Sequence, residues 1–274
     1  MDVAFAVAST KKNGSIGAQV QLEEADMIHI LMRISDAGNP KPKLPFATPL
    51  YCLDNCIHVF GKKHLHVFAD NCSPTTLNGL RERAISPFES KLGNAGSFLR
   101  VLDFALEHFS GEDRLYFLED DYLHLPTAPI LLEEGLDIAD YVTLYDHPDK
   151  YHNAADGGPN PFIREGGEPG RVLLTKSLHW KTTNSTTMTF AVKAKTLVED
   201  APAWKRFGVR VRDFDAFTFL QRHPKNVWDY LRQCFSRHPR RRLISSIPAA
   251  STHCELAFLA PLIPWNKTPS SSSP

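Results

Sequence analysis

Leu115-Tyr-Phe-Leu118 runs straight into Glu119-Asp120-Asp121-Tyr122, so a compact apolar segment ends on three consecutive carboxylates. A short apolar run of this kind reads as a buried strand, and the segments around it continue the pattern. Leu65 to Ala69 is a second such run, closed by Asp70. Between the two, Phe98, Leu99, Leu102, Ala105, Leu106 and Phe109 recur at helical spacing. Strand, helix, strand is the repeat of an α/β protein whose central sheet is mainly parallel and flanked by helices. Towards the N-terminus, Val3 to Ala8 reads as a further strand, Ser9 to Gly17 as a polar turn and Leu22 to Ile34 as a helix. Asn39 to Pro49 carries four prolines and reads as an irregular loop.

After the acidic segment, Tyr141 to Tyr145 reads as a strand, Asp146 to Gly170 as a long loop, and Thr182 to Val192 as a threonine-rich β-favouring stretch. Phe214 to Arg222 and Val227 to Phe235 read as helical pieces broken at Pro224, and 268–274 as a disordered tail. Residues 1–267 then form one domain, with a first half to about residue 125 and a second half from about residue 126. Its 274 residues, 42% hydrophobic and 23% charged, suffice for a sizeable core. A formal net charge of +0 supplies no field for nucleic acid or an anionic membrane. No stretch is long enough to span a bilayer and Met1 to Ser9 lacks the features of a signal peptide, so a soluble, cytoplasmic protein is expected. Five cysteines at irregular spacing fit reduced thiols rather than a disulfide framework.

Open parallel sheets bind ligands at the carboxyl ends of their strands, which is where Glu119, Asp120 and Asp121 fall. Adjacent carboxylates repel, and a hard divalent cation such as Mn²⁺ or Mg²⁺ relieves that repulsion while bridging a diphosphate. A solvated acidic turn, with Asp121 capping a helix, is the competing reading. The wider order, with Phe68-Ala-Asp70-Asn71-Cys-Ser73, then Leu92-Gly-Asn94-Ala-Gly96, then Glu119-Asp-Asp121, resembles the nucleotide-binding half of GT-A glycosyltransferases. The Glu-Asp-Asp form is similar to that of inverting N-acetylglucosaminyltransferases, and the pattern covers roughly residues 1–150.

That resemblance implies the GT-A type of fold, a nucleotide-sugar-binding N-terminal half and an acceptor-binding C-terminal half. It implies a UDP-sugar donor, a glycan acceptor and a Mn²⁺ (or Mg²⁺) cofactor. By it Asp121 holds the metal, Asp120 contacts the ribose or the metal, Glu119 touches the donor sugar, and Asp70 with Asn71, Ser73 and Asn94 lines the nucleoside side. Val211-Arg-Asp213-Phe-Asp215 resembles the segment that carries the catalytic base, with Asp215 the first choice and Asp213 the second; helix capping is the alternative for both. His253, in Ser251-Thr-His253-Cys-Glu255, would complete the metal site or hold the diphosphate. Asp146, His147 and Trp180 would lie on the acceptor side, Trp180 stacking a sugar ring. A metal-dependent phosphoesterase and a carbohydrate-binding module are the rival functions.

Overall fold

The chain is described by a computed structural model over residues 27–38, 41–224, 227–234 and 239–267. The expected strand at 3–8, turn at 9–17 and tail at 268–274 lie outside these residues. The strands are β1 (Ile28–Ile34), β2 (Leu65–Asp70), β3 (Phe88–Ser90), β4 (Arg114–Leu118), β5 (Tyr122–His124), β6 (Tyr141–Thr143), β7 (Val172–Leu174), β8 (His179–Thr182), β9 (Phe190–Lys193), β10 (Leu243–Ile247) and β11 (Ser251–His253). The helices are α1 (Pro49–Phe60), α2 (Pro74–Glu82), α3 (Gly93–His108), α4 (Ala128–Ile138), α5 (Ala194–Gly208), α6 (Asp213–Leu220) and α7 (Val227–Cys234).

Nine strands form one sheet in the order β3-β2-β1-β4-β9-β6-β10-β8-β7. β1, β2, β3 and β4 run parallel, β9 runs against β4 and β6, and β8 runs against β10 and β7. All strands of this sheet but β8 and β9 therefore point one way, and the fold is α/β with a mixed, mostly parallel sheet.

Both faces of that sheet are covered, and alternate residues of each central strand feed different cores. Ile30, Met32, Val67, Tyr116 and Leu118 pack on one side with Cys52, Leu53 and Cys56 of α1, Leu80 of α2 and Leu132 of α4. Leu31, Phe68, Leu115 and Phe117 pack on the other with Phe98 and Leu102 of α3, Trp204 of α5 and Phe217 of α6.

The described part of the expected Leu22–Ile34 helix is instead β1, the strand between β2 and β4. A strand buried on both faces shows a near-continuous apolar run, which periodicity cannot separate from a buried helix. The expected β-stretch over 182–192 is strand only at its ends; Thr183, Asn184, Thr186 and Thr189 are buried in the loop between β8 and β9. There the Thr189 hydroxyl accepts from the Glu119 amide and the Thr186 hydroxyl donates to the Asp213 carboxylate, so these threonines serve the loop instead of extending a ladder.

Gly135 of α4 fixes how closely that helix approaches the sheet. A Cβ at this position would lie 2.8 and 2.9 Å from the Val142 methyls and 3.0 Å from the Trp180 ring. Both neighbours are fully buried. Gly135→Ala would gain about 1 kcal/mol of helix propensity, but overpacking a closed core costs about 1–3 kcal/mol. We expect a net loss of stability, read as a lower urea midpoint with an unchanged slope.

Candidate functional site

β1 and β4 lie side by side with Met32 opposite Leu118, so the residues after each strand emerge together. From β1 come Arg33 and Ser35; from β4 come Glu119, Asp120 and Asp121. β5 follows at once and pairs antiparallel with β11, setting His253 against Tyr122. The Cys254 amide donates to the Asp121 carbonyl at 2.8 Å, which locks this crossing. A strand, not a helix, follows Asp121, so the helix-cap alternative does not apply.

Glu119, Asp121 and His253 each present a ligand atom, all within 4.8 Å of one another. His253 Nε2 is 3.2 Å from Asp121 Oδ2, and Lys43 Nζ is 2.8 Å from the same oxygen. The other oxygen, Asp121 Oδ1, is buried with no hydrogen-bond partner among the described residues. An orphaned carboxylate oxygen beside a carboxylate and an imidazole is the donor set of a hard or borderline divalent cation, so these residues fit Mn²⁺ or Mg²⁺. Lys43 reaches the cluster because its strand-like segment bridges Glu255, while Lys41 pairs with the buried Glu255 carboxylate at 2.7 Å.

Electrostatics separates the three acids. Burial works to raise Asp121, but His253 and Lys43 outweigh it and hold the carboxyl down at about 2. Asp120 is pushed up to about 7 by burial and by the Asp121 charge, although the Ser35 amide donates to it at 2.8 Å. Burial and Asp121 likewise raise Glu119 against the opposing pull of Arg33. Burial lowers His253, yet the hydrogen bond and charge of Asp121 reverse the sign and leave it above the ordinary imidazole value. A protonated imidazole cannot bind metal, so His253 must lose its proton on binding. We therefore expect divalent-cation affinity to fall as pH drops through the raised His253 value, a dependence that His253→Ala flattens.

Lys43 is a cation already seated on the expected metal ligand, and a divalent ion bound there would compete with it. Lys43→Met keeps the stem and removes the charge. Mn²⁺ should bind about tenfold tighter in titration calorimetry, a step of about 1.4 kcal/mol. Weaker binding would show that Lys43 helps to hold the anionic ligand instead.

Arg33 fixes the wall of the site. Its guanidinium pairs with Glu119 and donates to the Asn94 carbonyl and Oδ1, both at 2.9 Å, and to Ser97 at 3.1 Å. Asn94 thus sits in the first turn of α3, within one hydrogen bond of the arginine that orients Glu119. Asp70 is buried and its carboxylate accepts from the Leu92 and Gly93 amides, the Ser90 hydroxyl and the Asn71 side chain at 2.6–2.9 Å. Those bonds tie it to the start of α3, whose N-cap residue is Leu92. Ser73 caps α2, and its amide donates to Asp36.

A loop lies against the cluster on its other side. Thr189 Oγ1 accepts from the Glu119 amide at 3.4 Å, and the Tyr122 hydroxyl donates to the Thr187 carbonyl at 3.4 Å. Thr187 (φ 51°) and Met188 (φ 60°) are consecutive left-handed residues without glycine, a strained arrangement of the kind found at functional sites. Asp213 holds it, accepting from the Thr186 and Thr187 amides at 2.6 and 2.7 Å. Arg212 is the N-cap of α6 and neither Asp213 nor Asp215 is a cap. Asp215, two residues on and 23% exposed at its side chain, pairs with Arg212 at 3.4 Å.

On the expected acceptor side, Asp146 is buried against Lys181 at 2.7 Å and the Tyr151 hydroxyl. His147 Nδ1 faces Asp149, and its ring meets Tyr145 and Phe258. Tyr145 in turn packs on Tyr122 and His253, which ties this loop to the cluster. Trp180 departs from the expectation: it is 0% exposed, its Nε1 bonded to Thr175, and it offers no face to a sugar. A tryptophan in the middle of β8 points into the core because its ring is the largest apolar group available to fill it. Arg33 and Lys43 were not legible as site residues. Arg33 could have been found by reading 28–34 as a strand, whose end it would then share with β4.

No protein-family model matches the chain, and no curated protein matches its sequence. Among solved structures, the chain is similar to the galactosyltransferase LgtC, solved in complex with donor and acceptor sugar analogues, at a TM-score of 0.38 and 11% identity over 70% of this chain and 69% of that one. Among the described residues, no helix is long and apolar enough to cross a membrane.

Proposed function

We propose that the chain is a metal-dependent glycosyltransferase of the GT-A type, moving a sugar from a UDP-sugar to a glycan hydroxyl with inversion by direct displacement. The observation that carries this reading is the convergence of Glu119, Asp121 and His253 at the carboxyl end of β4, with Asp121 Oδ1 buried and unpartnered among the described residues. When bound there, Mn²⁺ supplies the positive charge that a departing diphosphate needs. Asp121 and His253 hold the ion, Asp120 meets the ribose, and Glu119, clamped by Arg33, meets the donor sugar. Asp215 takes the proton of the acceptor hydroxyl as the new bond forms at the anomeric carbon. Asp213 fixes the 186–188 loop against the donor side, and Asp146 and His147 border the acceptor.

Calorimetry with UDP and Mn²⁺ tests the reading. Binding of UDP that requires Mn²⁺ is expected, followed by slow hydrolysis of one member of a UDP-sugar panel. UDP binding that ignores the metal, or no binding, overturns it. Cleavage of simple phosphate esters without sugar transfer would favour a phosphoesterase, and metal-free glycan binding a carbohydrate-binding module.

A further inference from the structure

A cavity of about 1060 Å³ opens at the end of the strands opposite the acidic cluster. It lies among the starts of β6 and β10, the end of β9 and the loop 162–171. β9 runs against β4 with Lys193 opposite Arg114, so this end is where β4 begins, not where it delivers Glu119.

Two side chains that line this space carry buried acceptors with no donor among the described residues. Gln221 is only 5% exposed, and its Nε2 donates to the Thr183 carbonyl at 2.6 Å. A carbonyl can only accept, so the amide orientation is fixed, and Oε1 is left buried with no partner. Glu168 has a side chain 3% exposed, and both its carboxylate oxygens are buried without a hydrogen bond. Its nearest cation, the buried Lys150 ammonium, is 3.7 Å away and already donates to Asn184 at 2.6 Å and Ser185 at 2.8 Å. Buried acceptors left unmet are costly, and a ligand that brings donors removes the cost.

The rim is cationic. Arg241 is taken up by Asp200, Glu199 and Asp140, the Arg242 guanidinium donates to the Ile138 carbonyl, and Lys193 and Lys195 are taken up by Glu112. Asp137 pairs with Arg114. Arg164 and Arg171 are exposed at the cavity and form no ion pair among the described residues. Unmet acceptors inside and unpaired guanidinium groups outside call for a molecule with hydroxyls at one end and an anion at the other. An ammonium donor is disfavoured, because it would sit against Lys150 and the arginines. We propose that this cavity binds a phosphorylated sugar, its hydroxyls donating to Glu168 and Gln221 and its phosphate lying on Arg164 and Arg171. The proposal does not depend on the transferase reading.

Titration calorimetry on the full chain, without metal or nucleotide, uses glucose 6-phosphate as the probe, with inorganic phosphate and glucose as separate arms. Saturable binding is expected, about tenfold or more weaker for either half-molecule alone. Arg164→Ala/Arg171→Ala removes two exposed side chains and should weaken glucose 6-phosphate about tenfold or more. Glu168→Gln should weaken glucose 6-phosphate while leaving inorganic phosphate unchanged. Asp121→Ala, at the other end, should leave glucose 6-phosphate binding as it was, so loss of UDP binding and loss of this site are read apart. No saturable binding up to about 10 mM, or equal affinity in the double variant, overturns the proposal. Phosphate binding as tightly as glucose 6-phosphate overturns it too, since the buried acceptors would then play no part.

Discussion

Asp121→Ala is expected to abolish Mn²⁺-dependent UDP-sugar binding while the protein stays folded. This carboxylate joins the whole cluster: Oδ2 meets both Lys43 and His253, and Oδ1 is buried with no donor among the described residues. Removing it leaves Glu119 as the one carboxylate of the donor set and strips Lys43 and His253 of their shared counter-charge, so the pull on a divalent cation falls sharply. The affinity loss should exceed about 100-fold, beyond the range seen when a supporting group around a metal is removed. Stability should change little, because the Cys254 amide bonds the Asp121 backbone carbonyl, which the substitution keeps. Lys43, one-third exposed, can turn to water. Calorimetry and a melting curve on the same preparation separate the effects. Unchanged metal-dependent affinity in a folded variant would move the metal elsewhere and remove the main support for the proposed function.

The acidic segment was legible because local chemistry and topology agree there. An apolar run ending on acids reads as β4, and the helical spacing from Phe98 to Phe109 matches α3. The Leu65–Asp70 run is β2, and the three lie where a βαβ reading puts them. The rest needed information that no short window holds. α1 begins at Pro49, directly after a proline-rich stretch, and Thr48 accepts from the Tyr51 amide as its cap. A proline there looks like a breaker although it is favoured in the first helical turn. β1 reads as helix because burial on both faces erases alternation. The β5–β11 pair joins residues more than a hundred positions apart, and only that pairing sets His253 beside Asp121.

Residue type alone also overstates some sites. Asp70 is a buried acid at a strand end, as a nucleoside contact would be, yet four donors from its own chain surround its carboxylate. Trp180 shows the same limit for aromatic residues, since a stacking platform and a core filler share one composition. Arg33 and Lys43 carry no motif. Their importance comes from where β1 ends and from the bridge between Lys43 and Glu255, both long-range facts.

Asp213 and Asp215 lie two residues apart on the same helix, and the structure gives them different work. Asp213 accepts from two amides of the left-handed 186–188 loop, and its charge is felt at Glu119. Asp215 pairs with Arg212 and keeps part of its side chain at the surface. Loss of a partly exposed ion pair costs at most about 1 kcal/mol. Loss of a positioned general base costs about 10²–10⁴ in rate. Asp215→Asn should therefore lower turnover by that factor at saturating acceptor, with UDP affinity and melting temperature close to those of the parent protein. Asp213→Asn should behave differently, because it frees the amides that hold a strained loop; it should melt earlier and weaken donor binding along with turnover. If Asp215→Asn keeps near-normal turnover, the base is Asp213 or Asp146, and Asp146 is already committed to Lys181 and Tyr151. A product that retains the anomeric configuration needs no such base at all, and would remove inversion from the mechanism whatever the variants do.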